Sequence, residues 1–269
     1  MSKRRSLIAA ACAFAALSAA DAGAQSTDAW KWQGSLYLYL PDVGGKTTFP
    51  QGAGSNVALD ADTILSNLKF TFMGSLEASR GQWGLFTDVV YVDLGNSKSG
   101  FRDFTIGNAA LPAGASANAS LDLKALAWTL GGTWRLDAGP ASTLDLLAGA
   151  RLLDLKQTLK LEVTGDIGSI VLPGRRVDAD VSLNNWDAIV GLKGRTALGE
   201  ERRWFIPYYA DVGTGESKVT WQAMAGIGYA FRWGDVVAAW RYVDYEMKSG
   251  KKVENLTFNG PAVAAVFHW

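Results

Sequence analysis

The feature that most constrains this chain is a sorting of charge by parity. In ten segments, at 30 to 40, 68 to 79, 83 to 94, 121 to 136, 142 to 155, 185 to 198, 204 to 213, 218 to 232, 233 to 247 and 255 to 269, alternate residues fall on opposite faces of an extended strand. One face runs through Trp32 to Leu40, Leu68 to Ala78, Trp83 to Tyr91, Leu126 to Leu136, Leu144 to Leu152, Trp186 to Leu198, Trp204 to Val212, Val219 to Phe231, Val236 to Tyr242 and Thr257 to Trp269. Although 19% of the chain is charged, that face contains no Asp, Glu, Lys or Arg in any of the ten segments. The interleaved face carries Lys69, Glu77, Asp88, Arg135, Asp145, Arg151, Asp187, Lys193, Arg195, Asp211 and Arg241. A period of two with one uncharged face predicts β-strands that turn one side to an apolar medium and the other to a polar one.

The links between segments decide what the strands build. "RGQ" (80 to 82), "DAGPA" (137 to 141), "GEERR" (199 to 203) and the Trp233-Gly234-Asp235 corner are tight, whereas 41 to 67, 95 to 120 and 156 to 184 are long. Short turns at one end and long loops at the other, with no later stretch near the roughly 18 unbroken apolar residues of a spanning helix, predict a closed antiparallel transmembrane β-barrel. All-β architecture with about ten strands follows, or eight if the 204 to 232 hairpin stays out of the membrane. Both termini fall on the periplasmic side. A water-soluble barrel of the lipocalin type has the reverse partition, an apolar lumen and a wet exterior. Pro207 and Pro261 lie within strands, each removes a ladder donor, and both are expected to mark bulges.

Residues 1 to 24 have the form of a cleaved export signal. Lys3, Arg4 and Arg5 form a positive start, Leu7 to Ala20 an apolar stretch too short to span as a helix, and Ala22-Gly23-Ala24 a small-residue cleavage site, which places the cut before Gln25. The barrel then occupies 25 to 269. Its charge is close to neutral, so no nucleic-acid footprint is visible. The one cysteine, Cys12, leaves with the signal, so disulfides and thiol chemistry are excluded. No phosphate loop, zinc spacing or dinucleotide fingerprint is present, and neither a cofactor nor a metal is expected.

Trp30, Trp32, Trp83, Trp134, Trp204, Trp233 and Trp269 fall near the short-turn ends of their strands, where an interfacial aromatic girdle is expected. Asp42, Asp93, Asp154 and Asp244 close four outward-running strands ten or eleven residues beyond Trp32, Trp83, Leu144 and Trp233. At about 3.3 Å per tilted residue that climb is about 25 Å, the height of an apolar band, so these aspartates mark its outer edge. They either end the strands at the headgroups or meet lipopolysaccharide phosphates through divalent cations.

With these features in place, the chain resembles the small single-chain outer-membrane β-barrel proteins of Gram-negative bacteria, a group that includes uncharacterised, porin-like and outer-membrane protein A-like barrels. "GQWGLFTDVVYVDLG" and "RWGDVVAAWRYVDYE" are similar to stretches of uncharacterised members. The resemblance implies residence in the bacterial outer membrane, with lipid and lipopolysaccharide as neighbours. It also implies that a final aromatic, here Trp269 with Phe267, Ala265 and Val263 at alternate positions before it, is the signal read by the barrel assembly machinery. A monomer is expected.

The inward charges admit two readings. Glu77, Asp88, Asp145, Asp187 and Asp211 pair with Arg135, Arg151, Lys193, Arg195 and Arg241 in a filled lumen, since charges away from bulk water must be paired. Alternatively they line a narrow pore for small solutes and set its selectivity. The filled lumen, with a structural or surface-interaction role, is the principal reading. Outer-membrane hydrolases need a histidine beside Asp or Ser at the outer rim. The single histidine, His268, is predicted at the opposite end, so no enzyme activity is expected. In the loops, "LDADTILSNL" (59 to 68) predicts one helical turn over the barrel mouth, capped by Asp60 or Asp62, and 156 to 184 predicts an extended hairpin.

Overall fold

The chain forms a closed antiparallel barrel of ten strands. The computed structural model describes residues 29–47, 55–59, 61–101, 105–106, 109–110, 115–167, 170–251 and 253–269. The predicted export signal at 1–24 and Asp60 lie outside the described residues. In order the elements are β1 (Lys31–Tyr39), β2 (Asp42–Thr47), β3 (Ser55–Leu59), α1 (Ala61–Ser66), β4 (Leu68–Arg80), β5 (Trp83–Phe101), β6 (Thr105–Ile106) and β7 (Ala109–Ala110). They continue with β8 (Ala115–Ala138), β9 (Ser142–Ile167), β10 (Ile170–Leu198), β11 (Trp204–Gly215), β12 (Ser217–Ala230), β13 (Asp235–Met247) and β14 (Val253–His268).

The wall runs β1-β4-β5-β8-β9-β10-β11-β12-β13-β14, and β1 closes on β14 from Gln33 opposite His268 to Tyr39 opposite Ala262. Closure leaves no unpaired edge between first and last strands, and Trp269 and Trp32 add two reciprocal backbone hydrogen bonds at 2.8 and 3.1 Å. The indole of Trp269 lies across β1 at Gly34, where an added Cβ would stand 3.0 Å from it. The hairpin of β11 and β12 is part of the wall, which makes the count ten and not eight.

Strand faces follow the parity of the sequence. Leu36, Phe72, Leu85, Leu130, Leu146, Val190, Ile206, Ile227, Val236 and Val263 are all exposed on the outside, while Asp88, Asp145, Arg151, Asp187, Asp211 and Arg241 are buried inside. Like Ala78 at 7%, Leu152 is an exception, outward by parity yet only 9% exposed. Its cross-strand neighbours are Trp128 and Trp186, whose rings meet edge-on at 6.1 Å and cover it.

Three local differences from the sequence expectations have physical causes. Neither proline makes a bulge. At Pro207 the β11–β12 ladder simply skips Ile206 and Pro207, with its register kept on both sides, and Pro261 lies where β14 passes from pairing with β1 to pairing with β2. The 41 to 67 link is not only a loop. Pro41 interrupts an edge that β2 resumes alongside Val253 to Asn259, and β2 folds back on β3. The 95 to 120 link is largely strand, because β5 and β8 stay paired out to Phe101 and Ala117. The predicted extension at 156 to 184 is present as the paired ends of β9 and β10.

Helix α1 is capped from outside its own segment. The Ala61 amide donates to Asp42 Oδ1 at 3.1 Å, whereas Asp62 is an exposed first-turn residue and not the cap. Ile64 on α1 is buried and turns into the barrel mouth.

Candidate functional site

The lumen is organised in levels from the short-turn end upward. At the bottom, Arg135 pairs with Asp145 and Lys193 with Glu77, each across the wall or the lumen. Arg195 reaches Asp235 at 3.0 Å and lies over the Phe205 ring at 3.9 Å from its centroid. Asp235 also meets His268 Nε2 at 2.9 Å, so the single histidine stands at the short-turn end in contact with a carboxylate.

At mid-height a belt crosses the lumen. Arg151 on β9 pairs with Asp211 on β11 and donates from Nε to Thr129 at 3.3 Å. Arg241 on β13 donates to Asp88 on β5 at 3.0 Å and to the Tyr37 hydroxyl on β1 at 3.0 Å, and that hydroxyl in turn donates to Asp88 at 2.6 Å. The two halves meet at Gln222 on β12, whose Oε1 accepts from Arg151 at 3.2 Å and from Arg241 at 3.1 Å. Two guanidiniums and two carboxylates sum to zero charge. Buried ions need this kind of neutral, hydrogen-bonded closure, because each alone costs several kcal/mol to desolvate.

Asp187 stands apart from the ion pairs expected of it. Among the described residues it meets no cation within 4 Å; its carboxylate accepts from Asn185 Nδ2 at 2.7 Å and from the Ser217 amide at 2.8 Å. The acid that completes the set is Asp235, just before Val236, where the charge-free face of β13 begins. Uncharged members of the belt, Gln222, Thr129 and Tyr37, carry no charge to count and are missed by a tally of charges. Lys69 sits at the rim, where it bonds to Asp122.

Above the belt the lumen becomes apolar, and is not polar throughout as the inward charges predict. Met73, Val92, Leu153, Leu183, Val243 and Leu256 face a chamber of about 360 Å³, roofed by Ile64 and floored by Arg151, Gln222 and Arg241. A second chamber of about 240 Å³ lies below, between the belt and the lower ion pairs. Thr129, Gln222 and Arg241 line both, so the belt is the partition between them.

At the outer rim each aspartate has a partner within the protein. Asp93 meets Lys124 at 3.5 Å, Asp154 accepts from Asn184 at 3.0 Å, Asp244 accepts from Thr257 at 2.8 Å, and Asp42 caps α1. Outside, Trp30, Trp32, Trp83, Trp204, Trp233 and Trp269 are exposed at the short-turn end, and Trp134 is half-buried against Trp83 at 4.2 Å. Trp204, Tyr229, Phe231, Trp233 and Phe267 continue this as a chain of ring contacts at 4.8 to 5.8 Å. A second aromatic set nearer the loops, including Phe70 on Tyr91, Trp128 on Trp186 and Trp221 on Tyr242, was not singled out by position. On β14, Val263 and Phe267 are exposed and Ala265 half-buried, and Trp269, just beyond the strand, is exposed.

No family model and no curated protein matches the sequence. Among solved structures, the outer membrane protease OmpT from Escherichia coli is similar at 12% identity and a TM-score of 0.46, over 92% of this chain and 99% of that one. The attachment invasion locus protein Ail of Yersinia pestis is similar at 11% identity and a TM-score of 0.33, over 90% of this chain and 99% of that one. A TodX monoaromatic hydrocarbon channel mutant is similar at 10% identity and a TM-score of 0.36, over 90% of each chain. What each of these proteins binds or does stays with that protein.

Proposed function

We propose that this chain is an integral outer-membrane β-barrel whose lumen is sealed at mid-height, with a structural or ligand-binding role and not a conducting one. The observation that carries the seal is the belt in which Gln222 joins the Arg151–Asp211 and Arg241–Asp88 pairs across the lumen. Five strands and a zero net charge tie it together, and opening it would strand buried charges. Membrane residence is supported by the exterior, where apolar side chains form a continuous band between two aromatic sets. The neighbours of such a barrel are lipid and lipopolysaccharide, and Val263, Ala265, Phe267 and Trp269 are the segment offered to the assembly machinery. The one histidine lies at the short-turn end, away from the loops, which favours binding over hydrolysis.

Three measurements test this. Brominated lipids should quench the tryptophan fluorescence of the reconstituted protein, and N-terminal sequencing of the exported form should begin at Gln25. Vesicles carrying the protein should not swell in small sugars. Swelling at a rate that scales with solute size would identify a pore and overturn the seal, and absence of quenching would overturn membrane residence.

A further inference from the structure

The wall is unzipped beside the apolar chamber. The β1–β4 ladder runs from Lys31 opposite Ser79 to Leu36 opposite Gly74 and ends there, while on their other edges β1 stays paired with β14 up to Tyr39 and β4 with β5 up to Leu68. In the same register Tyr39 would meet Thr71, but its amide donates instead to Met73 Sδ at 3.1 Å, a weak acceptor. At Pro207 pairing resumes beyond the gap; here the two strands do not pair again, and Asp42 on the Ala61 amide of α1 frames the top. At about 3.3 Å per residue and a tilt near 40°, Leu38 stands about 15 Å above Trp32, inside the apolar band. Unpaired backbone at that depth costs several kcal/mol per group, so an open seam there calls for a reason. On β5, β8, β9 and β13 only inward residues line the chamber, such as Val92, Ala125, Leu153 and Val243. At the seam Leu38 lines it too, although it is 43% exposed to the outside.

We propose that the seam between β1 and β4 is a lateral portal, through which one neutral hydrocarbon molecule passes between the lipid leaflet on the loop side and the chamber above the belt. The chamber, at about 360 Å³ with apolar walls, is within the size range of small-ligand sites. Its floor already sums to zero charge, so an ionised ligand would add an unpaired buried charge, whereas an alkane adds none. Such a molecule concentrates in the bilayer core and meets the wall from the side. Widening the seam breaks no ladder bond above Leu36 and displaces only Met73, an unbranched and adaptable side chain. Leu36, Phe70 and Phe72 are exposed around the opening and present an apolar rim to lipid. The proposal rests on the sealed belt as the floor of the chamber, yet permeation is read separately. Vesicles that swell in sugars while the hydrocarbon still loads through the seam would overturn the seal and leave the portal.

The test uses the full chain in lipid vesicles, with tritiated dodecane counted on the protein after rapid capture into detergent. One dodecane per barrel is expected, and tritiated dodecanoate at alkaline pH should bind roughly tenfold more weakly or worse, because it carries a charge into the chamber. Leu38→Cys and Phe72→Cys, joined across the seam by a short bifunctional thiol reagent, should slow dodecane loading roughly tenfold or more and leave the final occupancy unchanged. The same double variant without the reagent is its control for folding and should load as the parent does. Val243→Phe, which fills the chamber from a wall position away from both seam and belt, should lower the occupancy itself, with a heat-modifiability gel confirming that it folds. Loading as fast with the seam joined as without it, failure of the two cysteines to be joined, or equal binding of dodecanoate and dodecane would overturn the proposal.

Discussion

Replacing Arg241 with methionine is expected to lower the unfolding free energy by about 3 to 5 kcal/mol, the cost of removing one partner from a buried pair. Arg241 is 8% exposed and holds Asp88, Gln222 and Tyr37 at 3.0 to 3.1 Å. Methionine fills much of the same volume and takes no part in the backbone ladder, so the strands still pair. What it leaves behind is the carboxylate of Asp88 with the Tyr37 hydroxyl alone, in a place that water does not reach freely. The second replacement, Asp88→Asn in the same chain, should recover a large part of the loss, because the uncompensated charge is then gone. A denaturant titration in vesicles reads both effects, and a heat-modifiability gel should show Arg241→Met losing its folded band at a lower temperature. Full stability in Arg241→Met would mean that water already solvates Asp88, as in an open pore.

A charge placed on the outer face should cost nearly as much. Leu130 on β8 is 47% exposed and lies four residues from Trp134 at the short-turn end, which places it within the apolar band. Leu130→Arg is expected to cost about 2 to 4 kcal/mol in a bilayer. On the surface of a water-soluble barrel the same change would stay within about 0.5 kcal/mol. Folding yields into vesicles for Leu130→Arg, set beside those for a rim substitution such as Lys124→Arg, separate the two cases.

The faces of the wall were legible because lipid and lumen impose opposite demands on neighbouring residues, and a period of two records both. That same pattern is silent about which inward groups meet. Arg151 and Asp211 are on strands that are not neighbours, and Arg241 and Asp88 lie on opposite sides of the closure between β1 and β14. Their approach depends on the stagger of the closed wall. Asp235 escaped notice because the corner at 233 to 235 reads as a turn, and Gln222 because it bears no charge. The apolar chamber was visible only as a loss of alternation. Val90 and Val92, Leu153 and Leu155, and Val243 all share inward parity with charged residues lower on their strands. Whether such residues pack together or stand around a cavity is set by barrel width. The extension of β5 and β8 beyond the apolar band was missed for a related reason. "NSKSG" is polar throughout, and the alternation in "ASANAS" sets only alanine against serine and asparagine, too slight an apolar face to read as strand, although the two segments pair.

Single-channel recording in planar bilayers addresses the sealed lumen most directly, using protein whose folded insertion has been checked on a heat-modifiability gel. With the belt of Arg151, Asp211, Gln222, Arg241 and Asp88 in place, the current should stay flat at all applied voltages. Discrete, reproducible openings from the unaltered chain would contradict the seal and identify the lumen as a conducting path.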